Sequence, residues 1–82
     1  MGKPVKAYRT RALGVDCVVF AKSRGAARYA TFRAANDAGY DIGFGDVEFC
    51  RRDELLDSQR GASHHVGTCY KPEEFAVRSS DQ

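Results

Sequence analysis

Two cysteines and two histidines within one short stretch of the chain are the first candidates for metal binding. Cys50, His64, His65 and Cys69 fall within twenty residues, and zinc prefers sulfur and nitrogen ligands in sets of four. Zinc sites usually contain ligand pairs two to four residues apart, and this sequence lacks such a knuckle. Adjacent histidines in a glycine-flanked loop seldom reach one ion. We therefore expect solvent-exposed loop histidines, no bound metal and no cofactor.

Cys69 together with His64 or His65 could also form a nucleophile and base pair. The sequence marks neither a third, orienting group nor an oxyanion hole for such a pair. A chain of 82 residues buries only about 60 to 65% of its unfolded surface, so a deep catalytic pocket is difficult to build. We therefore expect a binding protein and not an enzyme.

The cysteine count indicates the redox environment. Cys17, Cys50 and Cys69 are an odd number without CxxC spacing, which argues against a disulfide framework and for a reducing compartment. Cys17 and Cys50 lie in apolar, strand-like runs, where cysteine usually acts as a small buried hydrophobe. The start MGKPVKAYRT lacks the apolar run of a signal peptide, and no stretch of 18 apolar residues occurs. We expect a soluble, cytoplasmic protein that does not bind a membrane.

Charge is distributed unevenly along the chain. Residues 1–33 carry a balance of +7, residues 34–82 a balance of −5, and the whole chain a net charge of +2. A protein that binds nucleic acid by general phosphate neutralisation is usually basic throughout. The pattern therefore fits a dipolar protein that presents one sign of charge to a chosen partner at least as well as a general DNA binder.

Two sets of charged residues are candidate partner-binding surfaces. The first is a basic face, with Tyr8 and Tyr29 interleaved, that suits phosphate contacts and base stacking. It consists of Arg9, Arg11, Lys22, Arg24, Arg28 and Arg33. The second is an acidic face that could meet lysines and arginines of a partner. It consists of Asp41, Asp46, Glu48, Asp53 and Glu54. The sequence does not decide which face binds.

One long helix over residues 22–40 must position these charges. Ser23 is a plausible N-cap, Gly39 lies where a left-handed C-terminal cap falls, and alanines recur between them at three- and four-residue spacing. Lys22, Arg24 and Arg28 crowd the N-terminal end, where the helix dipole disfavours cations. This placement is either a solvated charged surface or an anion site built on the free amides of the first turn.

Three segments read as strands. Residues 5–10 and 46–52 alternate apolar and polar side chains, and residues 15–21 form a β-branched, well-buried run. Residues 11–14 read as a tight turn whose glycine takes a positive φ. We predict a small ββαβ domain of the α+β class, with one helix packed on a three-stranded, mostly antiparallel sheet. The third strand could pair with either the first or the second.

The remainder of the chain carries weaker signals. Residues 53–58 suggest a helical turn anchored by Leu55 and Leu56, residues 59–68 a polar loop, and Pro72 the start of another short turn. We predict an irregular C-terminal extension, a single domain over residues 1–77 and a disordered tail over residues 78–82.

The helix region resembles a group of small phage and prophage proteins. Residues 21–40, AKSRGAARYATFRAANDAGY, follow a basic hairpin and precede a short strand that ends in CRRD. This arrangement resembles proteins in which a helix with an RG-x-ARY-A motif ends in AGY. The build is also similar to that of several anti-CRISPR proteins, which are small, single-domain and charged. The likeness covers residues 5–53, and its motif belongs to a helix rather than to a catalytic site.

The resemblance implies a phage-encoded, non-enzymatic protein that inhibits a host defence complex. Such a protein would bind a host protein or nucleoprotein assembly, such as a CRISPR effector, and occupy a charged surface where nucleic acid binds. The alternative is a nucleic-acid-binding accessory protein of the same origin, and a self-assembling structural component is a third possibility. Reversing the charge of one face at a time would distinguish the first two.

Overall fold

In the computed structural model, residues 4–75 are described and form one sheet, one long helix and three short 3₁₀ turns. The strands are β1 (Lys6–Ala12), β2 (Val15–Ala21), β3 (Val47–Arg52) and β4 (Cys69–Tyr70), and the helix is α1 (Arg24–Asp37). The 3₁₀ turns span Phe44–Asp46, Glu54–Gln59 and Pro72–Glu74. The predicted boundary at residue 77 and the predicted tail over residues 78–82 lie outside the described residues.

The sheet has the order β3-β1-β2-β4, and every neighbouring pair is antiparallel. The predicted α+β class, with one helix on a mostly antiparallel sheet, is confirmed. The structure also settles the open position of β3, which pairs with the free edge of β1. A fourth strand, which the sequence did not predict, pairs with the other edge of the hairpin through Val18↔Tyr70 and Val19↔Cys69.

The helix is limited by caps that the sequence predicts correctly. The Ser23 hydroxyl accepts a hydrogen bond from the Ala26 amide at 3.1 Å, which satisfies one free donor of the first turn. At the other end Gly39 takes a φ of 100°, and the Tyr40 amide donates to the Ala35 carbonyl at 3.0 Å. This is the Schellman arrangement, which stops the helix. The helix proper is therefore shorter than the predicted span of residues 22–40.

The β1–β2 hairpin closes through a two-residue loop. Leu13 and Gly14 both have positive φ, at 55° and 74°, as in a type I′ turn, whose twist matches that of the flanking strands. Leucine is an unusual occupant of this conformation because its Cβ crowds the backbone there. Glu48 of β3 supports the turn by accepting the Gly14 amide at 3.0 Å.

Apolar side chains cover both faces of the sheet. On the side that faces α1, one cluster contains Tyr8, Val19, Ala21, Ala27 and Ala30. On the opposite side, a second cluster contains Ala7, Val18, Phe20, Leu56 and Phe75. Leu56 of the Glu54–Gln59 turn is fully buried as predicted, whereas the neighbouring Leu55 is 64% exposed and does not anchor the turn. Residues 54–75 are therefore part of the fold.

Within residues 4–75, no helix has the length and apolar character needed to cross a membrane.

Candidate functional site

Arginines of two neighbouring strands meet on the side of the sheet that faces away from the helix. Ala7 belongs to the apolar cluster on that side, so Arg9 and Arg11, two and four residues further along β1, share its face. Arg51 of β3 pairs with Arg9, and Phe49 pairs with Arg11. Directly paired residues of antiparallel strands project from the same face. We call Arg9, Arg11, Phe49 and Arg51 the arginine face.

The members of the arginine face differ in how their charge is compensated. Arg11 forms an ion pair with Asp16 of β2, with Nε and Oδ1 2.9 Å apart. The Arg51 guanidinium lies over the Phe49 ring, 4.7 Å from its centroid, which is a cation–π contact. Among the described residues, neither Arg9 nor Arg51 has an ion-pair partner. Three cations and one anion leave this surface with a net positive charge.

The cross-strand pairing of Arg9 with Arg51 is not explained by stability. Like charges directly opposite each other on a sheet are destabilising, and the cost is largest in the absence of a bound anion. Guanidinium groups present planar, forked donors that match the oxygens of phosphate or carboxylate. The arrangement can therefore hold an anion between two strands, with an aromatic ring beside it.

The remaining residues of the predicted basic face lie elsewhere. The Arg28 side chain donates from Nη2 to the Val47 carbonyl at 3.1 Å and lies 5.3 Å from the centroid of Phe44. Arg33 lines a groove on the opposite flank of α1 with Thr68. Thus the structure does not bring the six predicted cations together. Arg9 and Arg11 are on the sheet; Lys22, Arg24, Arg28 and Arg33 are at or on the helix.

The predicted anion site at the helix N-terminus consists of the amides of Ser23, Arg24 and Gly25 with Lys22, Arg24 and Arg28 around them, and it loses one cation to an internal contact. The amides of Ala26 and Ala27 donate to the side chain and the carbonyl of Ser23. The Arg28 guanidinium points instead to the start of β3.

The predicted acidic face is also divided, and three of its carboxylates hold backbone amides. Asp46 accepts from Gly43 at 2.7 Å, Glu48 accepts from Gly14 at 3.0 Å and Asp53 accepts from Leu55 at 3.1 Å. Asp46 and Asp53 flank opposite ends of β3, which separates them by roughly 20 Å. The other two predicted members, Asp41 and Glu54, are exposed. Three of the five predicted acids therefore stabilise local turns, and the five do not form one continuous acidic surface.

The sheet separates the four candidate metal ligands. Cys50 and Cys69 pack in the cluster that faces the helix, whereas the His64 ring contacts Phe20 and Phe75 on the other side, with centroids 5.7 Å and 4.8 Å apart. His65 is exposed as expected, but His64 is half-buried. Among residues 4–75, no three His, Cys, Asp or Glu side chains are grouped to hold a metal ion. Cys69 and His64 are likewise on different sides of the sheet.

Sequence reasoning did not include Arg51 and Phe49 in the candidate site. Their alternation within β3 places both on one face of the strand, but only the pairing of β3 with β1 brings that face beside Arg9. Since the sequence left the position of β3 open, no signal in it could identify this pair.

Comparison with protein-family models, with curated proteins and with solved structures found no match for this chain. Function must therefore be inferred from the chemistry of the surfaces described above.

Proposed function

We propose that this chain is a non-enzymatic binding protein that uses the arginine face to bind single-stranded nucleic acid. The observation that carries the proposal is the direct pairing of Arg9 with Arg51 across β1 and β3. A phosphate between the two guanidinium groups would convert their repulsion into two charge-assisted contacts. Arg11 lies on the same face, but its charge is compensated by Asp16.

A single strand fits this surface better than a duplex does. The surface is the face of a sheet and not a projecting helix, and it offers the Phe49 ring with the Arg51 guanidinium over it. Unpaired bases stack on aromatic rings and on guanidinium planes, whereas the bases of a duplex are already stacked on one another. The arginines would position the backbone, and Phe49 with Arg51 would receive a base.

The expected affinity is modest because few cations are involved. With about two phosphate contacts, the logarithm of the binding constant should fall with a slope of about −1.4 against the logarithm of salt concentration. The acidic residues near β3, such as Glu48 and Asp53, oppose binding in addition. We expect micromolar or weaker dissociation constants at low salt.

Fluorescence anisotropy with a labelled single-stranded oligonucleotide tests the proposal. The double variant R9Q/R51Q should bind at least ten-fold more weakly and show a smaller salt slope. The double variant R24Q/R33Q removes the same charge from the helix, and it should bind within about two-fold of the unaltered protein. A duplex of the same sequence should bind more weakly than the single strand. Equal losses in the two variants would contradict the proposal, because they would indicate a general effect of net charge.

The second candidate is an inhibitor of a host defence complex, anti-CRISPR-like, that occupies a nucleic-acid-binding surface of its target. Exposed apolar side chains favour a protein partner: Leu13 is 50%, Val15 59% and Tyr40 58% exposed. All three line one cavity. Large exposed hydrophobic side chains that cluster are typical of protein interaction sites.

A binding experiment with nuclease treatment separates this candidate from the first. The tagged chain should retain one defined protein complex from a bacterial host lysate after nuclease digestion, and that complex should lose its own nucleic-acid binding when the chain is added. The triple variant L13S/V15S/Y40S should lose the complex, whereas R9Q/R51Q should retain it if the apolar surface is the contact. Recovery of nucleic acid alone would reject the inhibitor and favour the first candidate.

A further inference from the structure

A cavity of about 320 Å³ lies between the C-terminal half of α1 and the hairpin end of the sheet. It exists because the helix presents Ala34, Ala35 and Ala38 there, whose short side chains do not fill the space. Leu13 and Val15 of the hairpin line it as well, and no charged side chain is among the described residues that line it. Its volume is at the lower end of the range of small-molecule sites, about 300–1,000 Å³. The cavity therefore suits a small, neutral, apolar molecule.

Two cysteine thiols lie in the wall of this cavity. Cys17 is on β2 and Cys69 on β4, and the pairing of Val19 with Cys69 places the two cysteines diagonally on the same face of the sheet. The Cys69 sulfur lies 3.7 Å from the Ala30 carbonyl oxygen and 3.8 Å from the Thr31 hydroxyl oxygen. Cys69 in addition lines the groove on the other flank of the helix, so it is accessible from two sides.

The two neighbouring thiols differ in pKa. Donation from Cys17 lowers the pKa of Cys69 to about 7, with a smaller contribution from Thr31 and against the effect of burial. The hydrogen bond with Cys69, burial and then the charges of Cys69 and Asp16 raise the pKa of Cys17. Cys69, the thiol with the lowered pKa, is also the one that lines both the cavity and the groove.

Charged groups near the pair come from the elements packed against it. The helix contributes Arg33 and Asp37 to the groove beside Cys69. These two side chains carry opposite charges, so their effects on the Cys69 thiolate have opposite signs. Burial raises the pKa of the third cysteine, Cys50, although the charges of Arg24 and Arg28 act in the opposite direction. Cys50 is therefore an internal reference for an ordinary, less reactive thiol.

We propose that Cys69 is a covalent modification site for small, neutral, apolar carbon electrophiles such as α,β-unsaturated carbonyl compounds, which enter the cavity before they react. The Cys69 thiolate adds to the β-carbon and forms a carbon–sulfur bond. The π electron pair of the C=C bond moves to the α-carbon as an enolate, which takes a proton from water. Nothing leaves, and no oxidant or reductant is needed.

Two features distinguish this site from a redox pair and from a chance reactive thiol. Diagonal positions on antiparallel strands are typically about 7–8 Å apart between Cα atoms, whereas a disulfide needs about 4.4–6.8 Å. The pair is therefore arranged to activate Cys69 and not to form a bridge. The apolar lining then selects among electrophiles by charge.

N-phenylmaleimide and N-(4-carboxyphenyl)maleimide are matched probes, since they share a reactive group and differ by one carboxylate. The full chain is labelled for a short time, and the modified cysteine is identified by peptide mass spectrometry. N-phenylmaleimide at pH 7 should label Cys69 at least ten-fold faster than Cys50 or Cys17. The charged probe should lose most of this preference, because the carboxylate would have to enter an apolar cavity.

Two variants and a pH profile complete the test. The Cys69 labelling rate should rise with a midpoint near 7, and Cys17→Ala should move that midpoint upward and slow labelling at pH 7. Ala38 lines both the cavity and the groove, so Ala38→Leu should obstruct both and slow the labelling of Cys69 at least ten-fold without changing that of Cys50, with the fold checked by circular dichroism. Similar labelling of all three cysteines, or a Cys69 rate that Ala38→Leu leaves unchanged, would overturn the proposal.

Discussion

Arg9 of β1 lies directly opposite Arg51 of β3, on the side of the sheet that faces away from the helix. In the unliganded protein this pairing should reduce stability, since like charges paired across strands cost a few tenths of a kcal/mol up to about 1 kcal/mol. We therefore expect Arg9→Gln to raise the free energy of unfolding in low salt while it weakens nucleic-acid binding. Urea unfolding at low salt and in 1 M NaCl measures this effect.

Salt provides the control for the arginine pair. The stabilisation by Arg9→Gln should nearly disappear in 1 M NaCl, where charges are screened within about 3 Å. Arg33→Gln removes an equal charge from the opposite flank of the helix and should change stability much less. If Arg9→Gln still raised the free energy of unfolding in high salt, the effect would not be electrostatic.

The hairpin turn offers a second prediction. Leu13 has a φ of 55°, a conformation that costs most L-residues about 1 kcal/mol or more and that asparagine tolerates. We expect Leu13→Asn to raise the free energy of unfolding by about 0.5–1 kcal/mol. Urea titration followed by circular dichroism measures the change.

Gly14 is the matched control for the turn. Its φ is 74° and a Cβ there would meet no atom within 4 Å, so Gly14→Ala changes the backbone strain without a steric clash. It should destabilise the protein by about 1 kcal/mol. If both substitutions moved stability in the same direction, the positive φ angles would not explain the effect of Leu13→Asn.

A buried hydrogen bond between β1 and α1 gives a third prediction. The hydroxyl oxygens of Thr10 and Thr31 are 2.6 Å apart, and the two residues are 0% and 2% exposed. Thr31→Val should lower the free energy of unfolding by about 1–3 kcal/mol, because it leaves the Thr10 hydroxyl buried with no partner on the helix. The measurement is urea unfolding of the single and double valine variants.

The double variant decides whether the hydrogen bond itself is responsible. Thr10→Val combined with Thr31→Val replaces both hydroxyls by methyl groups of similar shape, so it should cost less than the sum of the two single changes. The bond from the Thr31 hydroxyl to the Ala27 carbonyl, 3.1 Å long, is lost in both the single and the double variant and cancels from the comparison. Strictly additive costs would show that the two hydroxyls do not interact.

Acid stability should depend on Asp57. Its carboxylate accepts hydrogen bonds from the Arg52 guanidinium, at 2.9 Å for Nη1, and from the Ala7 amide, at 2.8 Å. The Arg52 contact and then the Ala7 amide lower the pKa of Asp57 below 3.8, against the effect of desolvation. Because the pKa of this carboxyl is lower in the folded protein, its contribution to stability is present at pH values above the ordinary pKa of 3.8. The contribution is lost as the pH falls through the folded-state pKa.

The variant Asp57→Asn tests this dependence. Its free energy of unfolding should be lower than that of the unaltered protein at pH 7, and the difference between the two should shrink below about pH 4. Asp41→Asn, which changes an exposed carboxylate, is the control and should show little difference at any pH. A difference for Asp57→Asn that is constant from pH 7 to pH 2 would contradict the assignment.

Local features of this fold could be predicted from the sequence because local chemistry determines them. The hydroxyl of Ser23 and the free φ of Gly39 set the helix ends, and the β-branched run of residues 15–21 sets the central strand. The turn predicted over residues 11–14 is shorter in the structure: Arg11 and Ala12 belong to β1, and Leu13 and Gly14 alone form the loop, both in the left-handed conformation.

Pairings between distant segments could not be predicted in the same way. β4 contains only Cys69 and Tyr70, too few residues to show an alternating pattern. The candidate site depends on β3 lying beside β1, and the sequence is compatible with either edge of the hairpin. The predicted basic face therefore contained Arg9 and Arg11 but not Arg51, whose proximity is created by the sheet order alone.

The sheet order has a consequence for the kinetics of folding. The two central strands are consecutive in the chain and joined by two residues, whereas both edge strands arrive from further along. Local hairpins form in about 1–10 μs, before contacts between distant segments. We therefore expect the hairpin to be largely formed in the transition state. Leu13→Asn should then mainly accelerate folding, whereas loss of the Thr10–Thr31 contact should mainly accelerate unfolding.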